Sequence, residues 1–323
     1  MSLRDWTELH ARLHRTLRQR QLLPAHQRLL VAVSGGQDSL CLVQLLLDLR
    51  AHWHWQLAIA HCNHRWRPDS DDNAAHVQSL AQNWQLPYYS ATATDLKATE
   101  AAARKWRYEV LTQIAQAQGY STVVTGHTQS DRAETLIYNL LRGSGMEGLQ
   151  ALAWQRELAP NLGLVRPLLE VTRSETEQFC QIAALSVWQD RTNEDWQYAR
   201  NRIRQELLPY LRQHFNPQVD RALSQTAELL RADLEYLEAA TDTLWLQVAH
   251  LDRINRRLLA NAPLALQRRI LRRWLSQVLS IAPNFEQIEK LVTLLESPNR
   301  SQTDPFPGGA IARVEADWIV LQR

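Results

Sequence analysis

The sequence predicts an α/β fold, a parallel sheet with helices on both faces, followed by a smaller, mainly helical C-terminal domain. Three observations carry this. Between Arg28 and Leu168 short apolar runs alternate with longer stretches of helical period, the pattern of a covered parallel sheet. The first run, Arg28–Val33, meets a glycine turn and then an apolar helix, Leu40–Leu49. After Arg200 strand patterning is absent for about a hundred residues.

In chain order, residues 2–21 read as an amphipathic helix, with Trp6, Leu9, Leu13 and Leu17 on one stripe. Arg12, Arg15, Arg18 and Arg20 lie off it as a solvated face, and Pro24 ends the segment. Gln56–His61 is a second strand, and a helix from Ser70 to Gln85 is started by Ser70, Asp71 and Asp72. Pro87–Thr92 is a third strand, and a long helix from Ala98 closes at Gly119. Ser121–Gly126 is a fourth strand, followed by a helix from about Ser130 to Arg142. Leu164–Leu168 is a fifth, edge strand, since Pro167 bars a central place. Asn201–Phe215 is a helix broken by Asn216-Pro217, and residues 218–297 read as helices punctuated by Pro263 and Pro283. Ala310–Gln322 alternates as a hairpin turning near Ala316-Asp317. The expected domains are an N-terminal helix (1–25), a catalytic domain ending in a linker helix (26–215) and a mainly helical domain with a terminal hairpin (216–323).

Composition narrows the class. A length of 323 residues suits two or three domains, and an apolar fraction of 45% suits real cores. No stretch approaches the ~20 apolar residues of a membrane span, and the N-terminus has charges where a signal peptide is apolar. A cytoplasmic protein is expected, and a homodimer is left open. Cys41, Cys62 and Cys180 stand far apart, so no zinc or iron–sulfur motif is readable. Only Lys97, Lys105 and Lys290 are lysines, and the remaining basic residues are arginines, whose planar fork suits phosphate.

The strand–turn–helix carries Ser34-Gly35-Gly36-Gln37-Asp38-Ser39. Its glycines let a ligand approach the backbone, and its hydroxyls and helix-start amides can donate to phosphate. It lacks the Lys-Ser/Thr of a Walker loop. Asp38 inside an anion site is explained by a magnesium ion bridging it to phosphate; a glycine turn merely capping a helix is the plainer reading. The hexapeptide, His61 and Gly126-His127 all fall at the carboxyl ends of strands, where such sheets bind ligands. Asp131 and Glu134 share a helix face beyond His127, with Asp131 as a second magnesium ligand and Glu134 facing a cationic substrate. Helix capping explains either acid alone. Arg104 and Arg107 share one side of their helix, where they can offset phosphate charge or be merely solvated. Arg200 and Arg204 lie one turn apart beside Arg202, and Arg268, Arg269, Arg272 and Arg273 form a strip in an acid-free stretch. Such single-sign fields suit a polyanion, with a solvated face as the alternative.

Taken together these segments resemble the tRNA(Ile)-lysidine synthetase family of pyrophosphate-loop ATPases. The resemblance rests on Ser34–Ser39, Ala60-His61-Cys62-Asn63-His64, Glu100 through Tyr108, Gly126-His127 through Thr135 and Leu140-Leu141-Arg142-Gly143-Ser144-Gly145. Arg166-Pro167-Leu168, Asp190-Arg191-Thr192-Asn193 and Arg200-Asn201-Arg202-Ile203-Arg204 complete it over roughly residues 26–215. The chain is similar to a short form with one added domain. It departs at Ser130, where the family often has an aspartate.

The resemblance implies a Rossmann-like sheet of the pyrophosphate-loop ATPase type. ATP would adenylate the C2 oxygen of the wobble cytidine of a tRNA(Ile) with a CAU anticodon, and free lysine would displace AMP to give lysidine. Ser34, Gly35, Gly36, Gln37, Asp38, Ser39, His61 and Gly126 would bind ATP, with Asp38 and Asp131 on Mg2+. Arg107 would offset α-phosphate charge, His127 would be the general base, and Glu134 would hold lysine. Arg200, Arg202 and Arg204, with the strip Arg268, Arg269, Arg272 and Arg273, would bind the tRNA. A tRNA thiolase of the same class is disfavoured by the missing C-x-x-C, and a non-catalytic tRNA-binding protein by the intact Asp38, Arg107 and Asp131 set.

Overall fold

The computed structural model describes residues 6–66, 68–94, 99–188, 196, 199–250, 252–279 and 282–322. The Asp190-Arg191-Thr192-Asn193 run and Lys97 lie outside the described residues. The chain divides into two compact units, Met1–Leu229 and Leu230–Arg323. That division falls within one long helix rather than at the helix break near Asn216.

The first unit runs α1 (Glu8–Gln19), β1 (Arg28–Ala32), α2 (Gln37–Trp53), β2 (Gln56–Asn63), α3 (Ser70–Asn83), β3 (Tyr88–Thr92), α4 (Glu100–Gln118), β4 (Thr122–Thr125) and α5 (Gln129–Leu141). It continues through α6 (Met146–Leu149), β5 (Gln155–Ala159), β6 (Leu162–Val165), α7 (Arg173–Ile182) and α8 (Ala199–Arg202). A π turn (Ile203–Leu207) and α9 (Leu208–His214) lead into α10 (Val219–Val248). The sheet order is β3-β2-β1-β4-β6-β5, parallel except for β5.

Every β1 side chain from Leu29 to Val31 is fully buried because the sheet is covered on both faces. Leu29 and Val31 join one core with α1, α2 and α7; Leu30 joins the other with Leu111 and Ala115 of α4. Alternate residues of a strand serve opposite faces.

Two expectations need correction. The strand near Leu164 is not the edge, because β5 pairs outside it; Pro167 lies past its end and removes no ladder donor. The stretch after Arg200 does contain strands, β7 (Ala249–His250) and β8 (Arg253–Asn255). They join the hairpin β9 (Ile311–Glu315) and β10 (Trp318–Gln322) in the order β7-β8-β10-β9. Helices α11 (Arg256–Ala260), α12 (Leu264–Val278) and α13 (Phe285–Glu296) complete this second unit. Its core gathers Leu271, Trp274, Ile288, Leu291 and Ile319.

Glu228 on α10 ties three parts of the first unit together. One carboxylate oxygen accepts from Arg20 of α1 at 2.7 Å. The other accepts from Arg132 of α5 at 2.7 Å and the Trp154 indole at 3.0 Å. Burial pushes this carboxyl up, but Arg132, Arg20 and Trp154 outweigh it and hold it at about 2.

Candidate active site

The Ser34–Ser39 turn is braced from several sides. Its Ser34 amide donates to Ser39 Oγ at 3.3 Å, and Ser39 Oγ donates to the Gly36 carbonyl at 2.8 Å. The Asn73 side-chain amide donates to the Ser34 carbonyl at 3.0 Å. Gly35 has φ +89°, and a Cβ there would lie 2.4 Å from Asn73 Oδ1. At Gly126 a Cβ would lie 2.7 Å from the Asp38 carbonyl oxygen, so only glycine lets β4 end against the first turn of α2. Two expected ATP ligands support the turn with their side chains instead. Gln37 Nε2 reaches across to α7, donating to the Arg173 carbonyl at 2.8 Å and Thr176 Oγ at 3.1 Å. His61 is buried and its Nδ1 donates to the Val33 carbonyl at 2.8 Å.

A cleft of about 550 Å3 opens beyond the strand ends. It is lined by Ser34, Asp38, Ser39, Arg104, Arg107, His127, Asp131, Glu134, Arg173, Arg200 and Arg204, so the first turns of α2, α4, α5 and α7 meet α8 and the π turn there. A separate hollow of about 620 Å3 on α1, lined by Trp6, His14, Arg15 and Arg18 among others, has no acid among its described lining residues. The cleft, not the hollow, gathers the residues expected to do chemistry.

Electrostatics sort the cleft's groups. Burial pushes the Asp38 carboxyl up and repulsion from Asp131 adds to it, against Arg173 and a hydrogen bond from Thr176. The repulsion that Asp131 exerts on Asp38 across the cleft suits a divalent cation. Asp131 Oδ2 accepts from the Thr128 amide at 2.7 Å and its hydroxyl at 2.9 Å, leaving Oδ1 toward Arg204 at 3.2 Å. This is a capping box, because α5 starts one residue earlier than expected, with Thr128 as cap. Burial pushes Asp131 up, but His127, Arg204 and the Thr128 bonds outweigh it, so it is held ionised below the usual range. Among the described residues no group of three potential ligands gathers; magnesium held by two carboxylates and phosphate oxygens requires none.

His127 is kept neutral. Burial, with Arg166, Arg104 and Arg107 nearby, outweighs the opposing pull of Asp131 and pushes it down to about 3. Its Nδ1 lies 2.8 Å from Thr125 Oγ. Burial also pushes the Glu134 carboxyl up, against Arg204.

Several of the expected tRNA and lysine residues are engaged by other protein groups in this structure. Glu134 does not face an open ammonium pocket: its two oxygens accept from Arg204 Nε at 2.6 Å and Nη2 at 2.7 Å. Arg204 accordingly points into the cleft, and lysine reaches Glu134 only if Arg204 leaves it. Arg200 pairs with Glu100 at 2.7 Å and stacks over Tyr138, while Arg202 is exposed. The C-terminal strip is largely neutralised, because acids absent from its own sequence arrive from other helices. Arg268 pairs with Glu289 of α13, and Arg269 and Arg273 pair with Glu238 of α10, Arg273 also with Asp242. Arg272 is likewise engaged.

Sequence reasoning missed Asn73, Arg173 and Thr176, and the helix α7 that carries the latter two. Thr172-Arg173-Ser174-Glu175 is a capping box, with Glu175 accepting from the Thr172 amide at 2.7 Å. That four-residue signature could have located α7.

Residues 7–211 match the family model described as the PP-loop domain, and residues 254–319 match the TilS substrate binding domain. The chain is 58% identical to the tRNA(Ile)-lysidine synthase of Nostoc, over 98% of this chain and 97% of that one. It is 54% identical to that of Synechocystis, over 97% of each. In fold it is similar to a U34-tRNA thiolase from Methanococcus maripaludis, with TM-score 0.60, 15% identity and coverage of 69% of this chain and 78% of that one.

Proposed function

The chain belongs to the tRNA(Ile)-lysidine synthase family, and from that premise we propose how its residues divide the reaction. The enzyme uses ATP to ligate lysine to C2 of the wobble cytidine of the CAU anticodon, through an adenylated tRNA, releasing pyrophosphate and then AMP. The observation that carries the residue-level reading is the pair Asp38 and Asp131, which face one cleft beside the pyrophosphate loop. Ser34, Ser39 and the free amides at the start of α2 hold the leaving pyrophosphate. Asp38 and Asp131 would hold magnesium, which would offset charge on the phosphates. Arg107 lines the same cleft and offsets charge at the α-phosphate.

The second step needs lysine's amine without its extra proton. His127 is neutral and presents a lone pair, and it becomes a stronger base once anionic phosphate offsets Arg104, Arg107 and Arg166. Arg204, held by Asp131 and Glu134, sets the charge of the cleft wall where lysine enters. Arg202 is the cation of its helix left open for RNA. No described helix is long and apolar enough to cross a membrane.

The test is transfer of radiolabelled lysine to unmodified tRNA(Ile), with and without ATP, followed by nucleotide chromatography. ATP-dependent labelling with AMP and pyrophosphate is expected. ADP as the main product, or labelling without ATP, overturns the reading.

A further inference from the structure

The reaction takes one cytosine out of its stack and holds its C2 oxygen against the α-phosphate. A base removed from its neighbours needs another flat surface, normally an aromatic side chain. The described rings lining the cleft are His61, His64, Trp66, Tyr108 and His127. His61 is 3% exposed. Tyr108 already carries the guanidinium groups of Arg104 and Arg156, with centroid distances of 5.3 and 4.7 Å. His127 is set among arginines and bound to Thr125. That leaves Trp66 with His64.

His64 is wedged between two indoles, 5.6 Å from Trp66 and 4.8 Å from Trp106 by ring centroids. Trp66 lines the cleft and Trp106 does not, so Trp66 presents the working face. Arg107 Nη2 lies 3.4 Å from His64 Nε2. A guanidinium can only donate, so Nε2 accepts and the ring proton of the neutral imidazole sits on Nδ1. Among the described residues, His64 Nδ1 and Trp66 Nε1 are both buried without a partner. Both donors are buried, so what Trp66 offers the cleft is its ring rather than its N–H.

We propose that Trp66, backed by His64 and Trp106, is the stacking platform for the unstacked wobble cytosine. The choice of cytosine over the adenine of ATP follows from the contact with Arg107, and rests on the reading of Arg107 given above. In the adenylated intermediate the cytosine C2 oxygen is bonded directly to the α-phosphorus, whereas adenine is a ribose away from it. A platform touching the α-phosphate arginine therefore fits the cytosine.

The test uses the full-length enzyme and tRNA(Ile) carrying pyrrolocytidine, a fluorescent cytosine analogue, at the wobble position, with α,β-methylene ATP present. Wild type should quench the fluorophore on binding, and Trp66→Ala should not. In single-turnover adenylation of ordinary tRNA, Trp66→Ala should be slower by roughly 5- to 150-fold, the worth of one base–aromatic stack. Trp66→Phe should recover most of the rate, and ATP affinity by equilibrium dialysis should be unchanged throughout. Trp66→Leu keeps an apolar filler without the ring and replaces the alanine variant if that fails to fold. Unchanged quenching without the ring, or ATP affinity lost in step with the rate, overturns the proposal; the latter would give the ring to adenine. Arg107→Gln retaining full adenylation would remove the Arg107 reading, while the fluorescence result would still report on the platform.

Discussion

Replacing Arg204 by glutamine should destabilise the catalytic unit in a pH-dependent way. Its guanidinium satisfies both oxygens of Glu134, which is 3% exposed, and one oxygen of Asp131. Removing one partner of such a buried pair costs about 3–5 kcal/mol, because a charge is left uncompensated. Protonation caps that cost. Neutralising a carboxyl of ordinary pKa 4.5 at pH 7 costs about 3.4 kcal/mol at about 1.36 per unit. Burial already pushes Glu134 up, which lowers the cap, so the deficit at pH 7 should lie below about 3.4 kcal/mol. The sign follows from linkage. An acid whose folded pKa exceeds its unfolded value binds protons more tightly when folded, so its penalty is full above the folded pKa and fades as pH falls toward the unfolded one. The deficit of Arg204→Gln should therefore shrink between pH 7 and about 5. Urea unfolding across that range measures it, with amide exchange in α5 as the local report. Adding Glu134→Gln should restore most of the stability at pH 7. It should not restore turnover, since Asp131 still lacks its cation; Arg204→Gln alone should lower turnover at saturating tRNA by on the order of 100-fold, as a misplacement of about 1 Å can. A deficit below about 1 kcal/mol, or one flat with pH, would show that Glu134 does not depend on Arg204 for its charge.

Asp38→Asn and Asp131→Asn should each abolish pyrophosphate release while filter binding of tRNA stays near wild type; near-normal turnover in Asp131→Asn would remove it from the metal. Gly126→Ala should cost about 1–3 kcal/mol, as overpacking does, and raise the KM for ATP, because the new methyl meets the Asp38 carbonyl at 2.7 Å; calorimetry and an ATP titration check both. Replacing Arg268, Arg269 and Arg273 together by glutamine should leave the log–log salt slope of tRNA binding nearly unchanged, because their charges are met by Glu289, Glu238 and Asp242. A slope flatter by about one unit per residue lost would return the strip to the RNA.

The parallel strands were legible because a sheet covered on both faces makes its central strands apolar throughout, as at Leu29, Leu30 and Val31. Strand β5 was not, since its Gln155, Arg156 and Glu157 are exposed and carry no apolar signal. Strands β7 and β8 are too short for any period to show. The cleft's main acids and arginines were readable from residue type at strand ends, whereas their pairings were not. Arg204 with Glu134 and Arg269 with Glu238 join residues far apart in the chain. An acid-free stretch of sequence is thus no guide to an acid-free surface. His64 and Trp66 lie just past β2, but the ring contact with Trp106 exists only once α4 packs beside it.

The Glu228 junction bears on how the protein is made. Arg20 and Glu228 are separated by 208 positions, so α1 gains this anchor only after nearly the whole catalytic unit has been synthesised. Domains generally fold as they leave the ribosome, N-terminal part first, and the sheet from β1 to β6 needs nothing beyond Val165 to pair. Arg132, 1% exposed on α5, must nonetheless wait for residue 228 to receive this carboxylate. A nascent chain halted before α10 emerges therefore carries a paired sheet whose α5 still lacks its acidic anchor. The helix bearing Asp131 becomes fully secured late in translation, when the start of the second unit is already being made.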